Sequence, residues 1–184
     1  MSATGRSPVR RVDDFYETPA WGVRAIVPHL GLRPSDRVLD PCCGRGAITQ
    51  ALPSDLDLVG LELDAGRASE AASLGHTVQC RDALAPEPWP AHRVLLTNPP
   101  YRLALEFVER ALREAAPRGV VAMLLRLGFL ESKKRAAFHQ QHPADVFVLS
   151  ERPSFTGRGT DAAAYGWFLW GGRGGRWRLL VAAR

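Results

Sequence analysis

Short apolar runs alternate with amphipathic stretches along almost the whole chain. The apolar runs predict strands at 37–40, 57–62, 76–81, 93–97, 120–125, 146–149 and 165–170, with a candidate edge strand at 176–182. Apolar residues at helical spacing and turn signals predict helices at 18–30, 47–52, 64–74, 102–116 and 131–142. The helix at 102–116 has the clearest pattern, because Leu105, Val108 and Leu112 recur at helical spacing with charged residues between them.

This order of elements predicts the fold class. Strands that alternate with helices and read as continuous apolar runs are typical of a mostly parallel sheet covered on both faces. We therefore expect an α/β, Rossmann-like fold with a seven-stranded sheet, an antiparallel strand near the C-terminus and helices on both faces. In such sheets the ligands bind beyond the carboxyl ends of the strands, so we expect the functional residues at those ends.

Composition is consistent with one globular domain. The chain has 184 residues, of which 46% are hydrophobic and 23% charged. We expect a single domain over 1–184, with 1–14 as a candidate flexible segment. No apolar run approaches the ~18 residues of a membrane span, and the N-terminal residues lack the apolar core of a secretory signal. The expectation is a cytoplasmic protein with no membrane partner.

The charge is unevenly distributed along the chain. The formal net charge is +5, with −3 over residues 1–92 and +8 over residues 93–184. A basic half indicates an anionic partner, and nucleic acid is the first candidate. The 22 Arg against 2 Lys are also what an arginine-rich coding bias would produce, so charge alone favours nucleic acid only modestly.

Cysteine and histidine positions do not indicate a metal site. Cys42, Cys43 and Cys80 lack the second cysteine pair of a zinc site, and the five histidines lack metal-ligand spacing. We expect the three cysteines to be reduced and no metal to be bound.

Three predicted strands end in residues that suit one small molecule. The first ends in Asp40 and a loop with two glycines, which allow a backbone to approach a ligand closely. Asp40 suits an amino group, Glu62 at the end of the second strand suits ribose hydroxyls, and Asp82 after the third suits an adenine amine. An amine, a ribose and an adenine in this order describe S-adenosylmethionine. The alternative is that these are ordinary turn and cap residues.

The fourth predicted strand ends in Thr97-Asn98-Pro99-Pro100-Tyr101. Two prolines make a rigid, extended turn that fixes the Asn98 side-chain oxygen and can leave the Pro99 carbonyl unpaired. Two converging acceptors suit a planar NH₂ group, whose lone pair is delocalised until both of its hydrogens are bound. Tyr101 offers a flat surface on which a base can stack. The alternative is an Asn-Pro turn followed by a core tyrosine.

These motifs together resemble those of class I, S-adenosylmethionine-dependent amino-group DNA methyltransferases. Residues 16–19 (YETP) resemble the family's N-terminal cofactor motif, 40–46 its glycine loop and 98–101 (NPPY) its catalytic tetrapeptide. Residues 152–170 resemble the last strand pair of the short phage- and prophage-type adenine enzymes. Asn in the first position of the tetrapeptide favours adenine N6 over cytosine N4, where the family more often has Ser.

The resemblance implies site residues. Asn98, Pro99, Pro100 and Tyr101 are implied to be catalytic. The implied cofactor contacts are Tyr16, Thr18, Pro19, Asp40, Cys42, Gly44, Gly46, Glu62, Leu63, Asp82, Ala83 and Asn98, with the threonine near the methionine carboxylate. The predicted nucleic-acid contacts are Tyr101, Lys133, Lys134, Phe155 and Arg158. The last four stand in a basic helix and a glycine-rich loop, which are also typical of a solvated face and a hairpin connection.

Two features depart from the family pattern. Cys42 and Cys43 stand where relatives often have an aromatic residue, and no segment after Tyr101 is long enough for a separate target-recognition domain. The leading prediction is N6-adenine methylation of DNA. Methylation of a base in rRNA or tRNA is the alternative, since the tetrapeptide does not specify the substrate. A non-catalytic nucleic-acid-binding module is a third interpretation.

Overall fold

A computed structural model describes residues 16–153, 162–171 and 175–180 of the chain. Its strands are β1 (Arg37–Asp40), β2 (Asp57–Glu62), β3 (Thr77–Cys80), β4 (Val94–Thr97), β5 (Val120–Arg126), β6 (Asp145–Leu149), β7 (Tyr165–Trp170) and β8 (Trp177–Leu180). Its α-helices are α1 (Ala20–Ile26), α2 (Ala65–Ser73), α3 (Ala104–Glu114) and α4 (Lys133–Gln141).

The strands form a single sheet in the order β3-β2-β1-β4-β5-β7-β6-β8. The five strands from β3 to β5 are parallel, whereas β7 is antiparallel to both β5 and β6. This confirms the predicted Rossmann-like architecture with its antiparallel strand near the C-terminus. The sheet has eight strands rather than seven, because the candidate edge segment at 176–182 does form β8, parallel to β6.

Both faces of the sheet are covered, which explains why its central strands are apolar throughout. Met123 and Phe168 pack with Phe107 of α3 in one core cluster. Leu124 and Trp167 pack with residues of α1 in the other. Because successive side chains of a strand point to opposite faces, β5 is apolar from Val120 to Leu125 and every residue of β7 is buried.

Two predicted helices differ from those observed. The segment 47–52 forms only a 3₁₀ turn at Thr49–Ala51, after Gly46 with φ +84°. The Thr49 hydroxyl donates to the Gly46 carbonyl at 2.9 Å, a local bond that competes with helix formation. The predicted helix at 102–116 begins with a 3₁₀ turn, Tyr101–Leu103, before α3. In the described ranges, every helix is too short or too polar to cross a membrane.

Gly60 in β2 lies where a side chain would collide with the glycine loop. A Cβ built there would be 2.6 Å from the Cys43 Sγ and 2.9 Å from its Cβ. We expect Gly60→Ala to lower the free energy of unfolding by about 1–3 kcal/mol, the usual cost of overpacking a core. Urea denaturation of this variant, beside Gly128→Ala as control, measures the effect. A Cβ at Gly128 meets nothing within 4 Å, so equal losses in both variants would contradict the explanation.

Candidate active site

A cavity of about 320 Å³ lies at the carboxyl ends of β1, β2, β3 and β4, the edge where the sequence predicts a ligand. Nine of the twelve predicted cofactor residues line it: Tyr16, Thr18, Asp40, Cys42, Glu62, Leu63, Asp82, Ala83 and Asn98. Residues 16–18 reach this edge from the segment before α1. The fold therefore brings together residues that are up to 82 positions apart in sequence.

The other three predicted cofactor residues shape the cavity without lining it. Gly44 and Gly46 both have positive φ, +54° and +84°, and this left-handed backbone turns the chain sharply after β1. Pro19 precedes α1 and sets the extended backbone through which residues 16–18 approach the cavity. The backbone geometry of the loops therefore explains these three residue types.

Asp40 ends β1 with a carboxylate that is only half satisfied. Its Oδ1 accepts hydrogen bonds from the Thr97 hydroxyl at 2.6 Å and from the Cys42 amide at 3.1 Å. Its Oδ2 is buried and has no hydrogen-bond partner. Burial raises the pKa of Asp40 to about 7, the two hydrogen bonds lower it in part, and the nearby Glu62 carboxylate raises it. An unpartnered buried acceptor in a cavity wall suits a cationic or N–H group of a ligand.

Glu62 at the end of β2 ties the glycine loop to the sheet. Its Oε2 accepts from the Gly44 amide at 2.9 Å. Its Oε1 accepts from the Asp64 amide at 2.9 Å and from Arg67, whose guanidinium lies at 3.0 Å. Each carboxylate oxygen has two acceptor sites, so Oε2 keeps one for a ligand hydroxyl. The ribose contact predicted for Glu62 is therefore compatible with its structural role.

The far end of the cavity has one polar and several apolar walls. Asp82 is exposed, and its Oδ1 caps the turn by accepting from the Leu84 amide at 2.8 Å. Ala83 is buried, and Leu63 is 69% exposed even though it lines the cavity. A large apolar side chain left exposed in a cavity wall suits contact with a flat apolar ring.

Asn98 stands at the end of β4 with its carboxamide fixed. The Nδ2 group donates to the Tyr16 carbonyl at 3.1 Å and to the Thr18 hydroxyl at 3.0 Å. Among the described residues, neither the Asn98 Oδ1 nor the carbonyl of buried Pro99 receives a hydrogen bond. Pro100 lines the cavity and accepts from the Leu103 amide at 2.9 Å. Pro99 is not among the lining residues, whereas Asn98 and Pro100 on either side of it are, so one of the two free acceptors belongs to a residue of the cavity wall.

Tyr101 lies next to the cavity, outside its lining. Its ring stacks on Tyr16, with centroids 5.9 Å apart and planes at 20°, and contacts Tyr165 at 5.4 Å. The Arg126 guanidinium lies over the same ring at 4.9 Å, and its Nε donates to the Tyr165 hydroxyl at 3.0 Å. Arg126 was not predicted as a site residue, because an arginine at the end of an apolar strand is common and indicates no particular function. Base stacking on Tyr101 stays a prediction.

The predicted nucleic-acid residues are only partly described. Lys133 and Lys134 are the first residues of α4 and are exposed. They follow β5, whose carboxyl end lies at the same edge of the sheet as the cavity. Phe155 and Arg158 lie outside the described residues.

Several residues that line the cavity were not predicted from the sequence. Arg45 lies between the two loop glycines and pairs with Glu70 at 2.8 Å and with Glu17 at 3.5 Å, so it links α2 to the N-terminal segment. Phe107 of α3 is buried and reaches the cavity one turn after Leu103. The spacing of Leu103 and Phe107 after the tetrapeptide is a signal that could have found them. Over the described ranges, no cluster of three or more potential metal ligands occurs.

Comparison with solved structures identifies the fold. A protein of Listeria monocytogenes described as a class I S-adenosylmethionine-dependent methyltransferase superposes with a TM-score of 0.72 at 15% identity, over 94% of this chain and 68% of its own. A type I restriction-modification methyltransferase subunit of Streptococcus thermophilus gives 0.68 at 16% identity, over 88% and 45%. An RNA methyltransferase of Pyrococcus horikoshii, PH1948, gives 0.69 at 17% identity, over 89% and 90%.

These similarities establish the class I methyltransferase fold and no finer property, because all three identities are below 20%. The chain spans less than half the length of the restriction-modification subunit. No protein-family model matches the sequence, and no curated protein sequence is similar to it. Function has to be argued from the site.

Proposed function

We propose that the protein transfers a methyl group from S-adenosylmethionine to the exocyclic N6 amino group of adenine in DNA. The observation that carries the proposal is the pair of free acceptors, Asn98 Oδ1 and the Pro99 carbonyl. Asn98 lines the cavity and Pro99 is its neighbour in the chain, and the cavity wall also holds the unpartnered carboxylate oxygen of Asp40. One feature suits a planar amine and the other suits a cationic cofactor.

The residues of the cavity fit this cofactor. Asp40 Oδ2 can accept from its amino group, and the free acceptor site of Glu62 can take a ribose hydroxyl. Asp82 and exposed Leu63 suit the amine and the face of its adenine. A volume of about 320 Å³ is in the range of small-molecule sites. When bound, the cofactor supplies an electrophilic methyl group on a sulfonium.

The tetrapeptide suits the other reactant. A base amine is a weak nucleophile because its lone pair is delocalised into the ring. Asn98 Oδ1 and the Pro99 carbonyl would each accept one of its hydrogens, which favours a pyramidal nitrogen with a localised lone pair. The nitrogen would gain the methyl group as the sulfonium S–CH₃ bond breaks and leaves a neutral thioether. The methylated nitrogen is then cationic, so its proton is acidic enough to leave to water. This chemistry needs no strong base in the site.

Charge and the structural neighbours both favour a nucleic-acid substrate. Residues 93–184 carry a net charge of +8, and two lysines stand at the edge of the sheet that holds the cavity. By their descriptions, one neighbour is a type I restriction-modification methyltransferase subunit and another is an RNA methyltransferase. We favour DNA because residues 16–19 and 152–170 resemble segments of adenine-specific DNA enzymes, whereas the tetrapeptide at 98–101 does not distinguish the two substrates. RNA remains the second candidate.

Radiolabelled cofactor offered in parallel to DNA, RNA and bulk protein tests the proposal. We expect label in DNA, recovered as N6-methyladenine after nuclease digestion. Label found in RNA alone would show that the substrate is RNA rather than DNA, and the proposed methyl transfer to a base amine would stand. Cofactor binding without label in any polymer would contradict methyl transfer and favour a binding module.

We also expect the two exposed lysines of α4 to contact phosphates. The Lys133→Gln/Lys134→Gln double variant should weaken nucleic-acid binding and reduce the slope of log affinity against log salt by about 1–2. Fluorescence anisotropy with a labelled duplex at several salt concentrations measures this. Arg113→Gln/Arg118→Gln is the matched control, since both arginines are exposed and lie in the last turn of α3 and just before β5, at the opposite edge of the sheet. Equal slopes in both double variants would remove the lysines from the interface.

A further inference from the structure

The carboxamide of Asn98 is oriented by two residues that precede α1. Its Nδ2 group donates to the backbone carbonyl of Tyr16 at 3.1 Å and to the hydroxyl oxygen of Thr18 at 3.0 Å. Thr18 is 5% exposed, so its hydroxyl is largely shielded from solvent. The contacts join the two candidate motifs of the site, 80 and 82 residues apart in sequence.

The chemistry of these partners decides which end of the carboxamide faces the substrate. A carboxamide has almost the same shape after a 180° flip, but the flip exchanges a donor for an acceptor. The Tyr16 carbonyl can only accept, so only the Nδ2 end of Asn98 can face it. Both N–H groups are then in use, and Oδ1 is the end left over. A flipped Asn98 would bring its Oδ1 against the Tyr16 carbonyl, where neither oxygen can donate, and would offer N–H groups to a substrate amine, which also needs acceptors.

We propose that Thr18 is a positioning residue for methyl transfer: with the Tyr16 carbonyl, its hydroxyl holds the Asn98 carboxamide with the oxygen towards the substrate amine. The inference rests on the proposed function, because it assumes that Asn98 binds an amine. It adds a role to Thr18 that differs from a cofactor contact. A threonine hydroxyl can accept from Asn98 and still donate its own hydrogen to a cofactor carboxylate.

Thr18→Val and Thr18→Ser separate the hydroxyl from the shape of the side chain. Valine keeps the branched shape without an acceptor, and serine keeps the acceptor. We expect Thr18→Val to lower kcat about tenfold, the order expected for one lost orienting hydrogen bond. Thr18→Ser should stay within about twofold of the wild type. In Thr18→Val, the fold decrease in kcat should exceed any fold increase in the Kd for S-adenosylmethionine. If Thr18 only contacted the cofactor, the Kd would be the quantity that changes more.

A double-mutant cycle with Asn98→Ala distinguishes action through Asn98 from an independent role. If Thr18 acts through Asn98, Thr18→Val has no further effect on kcat in the Asn98→Ala background. Single-turnover assays with tritiated cofactor and excess enzyme reach the low rates needed. Should Asn98→Ala be too slow to measure, the split between kcat and Kd in the single Thr18 variants decides.

The outcomes separate this inference from the proposed function. No methyl transfer by the wild type to DNA or RNA would contradict the proposed function itself. An active wild type with an unchanged kcat in Thr18→Val would overturn only the positioning role, as would equal reductions in both backgrounds. Circular dichroism checks folding, and Thr18→Ala replaces the valine variant if that one does not fold.

Discussion

Asn98→Ala is expected to lower kcat by at least ~10²-fold, the scale typical of losing one group that stabilises or positions the transition state. Alanine removes Oδ1, one of the two free acceptors for the substrate amine, and leaves the Pro99 carbonyl alone. The affinity for S-adenosylmethionine should change little, because Asp40, Glu62 and Asp82 keep their places in the cavity wall. Single-turnover rates measure the first effect and isothermal titration calorimetry the second.

Gln141→Ala is the matched control for that experiment. It removes a carboxamide from the exposed last residue of α4, far in sequence from the tetrapeptide. We expect its kcat to equal that of the wild type. If Asn98→Ala turned over as fast as this control, the clamp for the amine would be the wrong mechanism. If it also lost the cofactor, Asn98 would belong to the cofactor site first.

The fold was predictable because its signals are local. The bounds of β1, β2 and β7 coincide with the predicted ones, since turn residues flank each apolar run. The order of the strands in the sheet was harder to predict. The pairing of β7 between β5 and β6 is a long-range contact, and the sequence of β7 itself contains no signal for it. The prediction of a helix at 47–52 was wrong for a local reason: the hydrogen bond from the Thr49 hydroxyl to the Gly46 carbonyl competes with helix formation.

In the candidate site, the positions of residues could be predicted from the sequence, but their mutual contacts could not. Residues at strand ends could be placed from the sequence, because parallel strands bring their carboxyl ends to one edge of the sheet. The contacts among side chains could not. Nothing in the sequence near Asn98 indicates that Thr18 holds its amide, and nothing near Tyr101 indicates the Arg126 guanidinium over its ring. These contacts depend on how separate segments pack at the edge of the sheet, not on any local pattern.

Asp40 gives the second large effect, on cofactor affinity and its dependence on pH. Binding a cation beside Oδ2 favours the carboxylate, so below the pKa of about 7 the carboxyl must release a proton on binding. We expect the Kd for S-adenosylmethionine to rise about tenfold from pH 7 to pH 5.5, a range in which an α-amino group stays protonated. Among the described lining residues no histidine occurs, so none titrates there in the wall.

Asp40→Asn should raise the Kd about 10²-fold at pH 7 and remove its pH dependence over that range, because a charge-assisted hydrogen bond is lost. Asparagine can still accept from Thr97 through its oxygen, which leaves an NH₂ group facing the cofactor amine. Asp57→Asn, a half-exposed carboxylate paired with Arg37 at the other end of the sheet, is the control. Calorimetry at the two pH values measures both effects, and an unchanged slope in Asp40→Asn would exclude Asp40 as their source.

The stability of the cofactor-free protein should move in the opposite direction. The folded pKa of Asp40 lies above that of an unfolded aspartate, so the unfolded chain releases this proton at lower pH. The contribution of the protonated carboxyl to stability is complete below about pH 4 and is lost as the pH rises through about 7. Asp40→Asn carries no such charge, so at pH 8 it should be at least as stable as the wild type while binding the cofactor less tightly. A variant that lost both stability and affinity at pH 8 would show that Asp40 holds the fold together and would contradict its role as the partner of a cation.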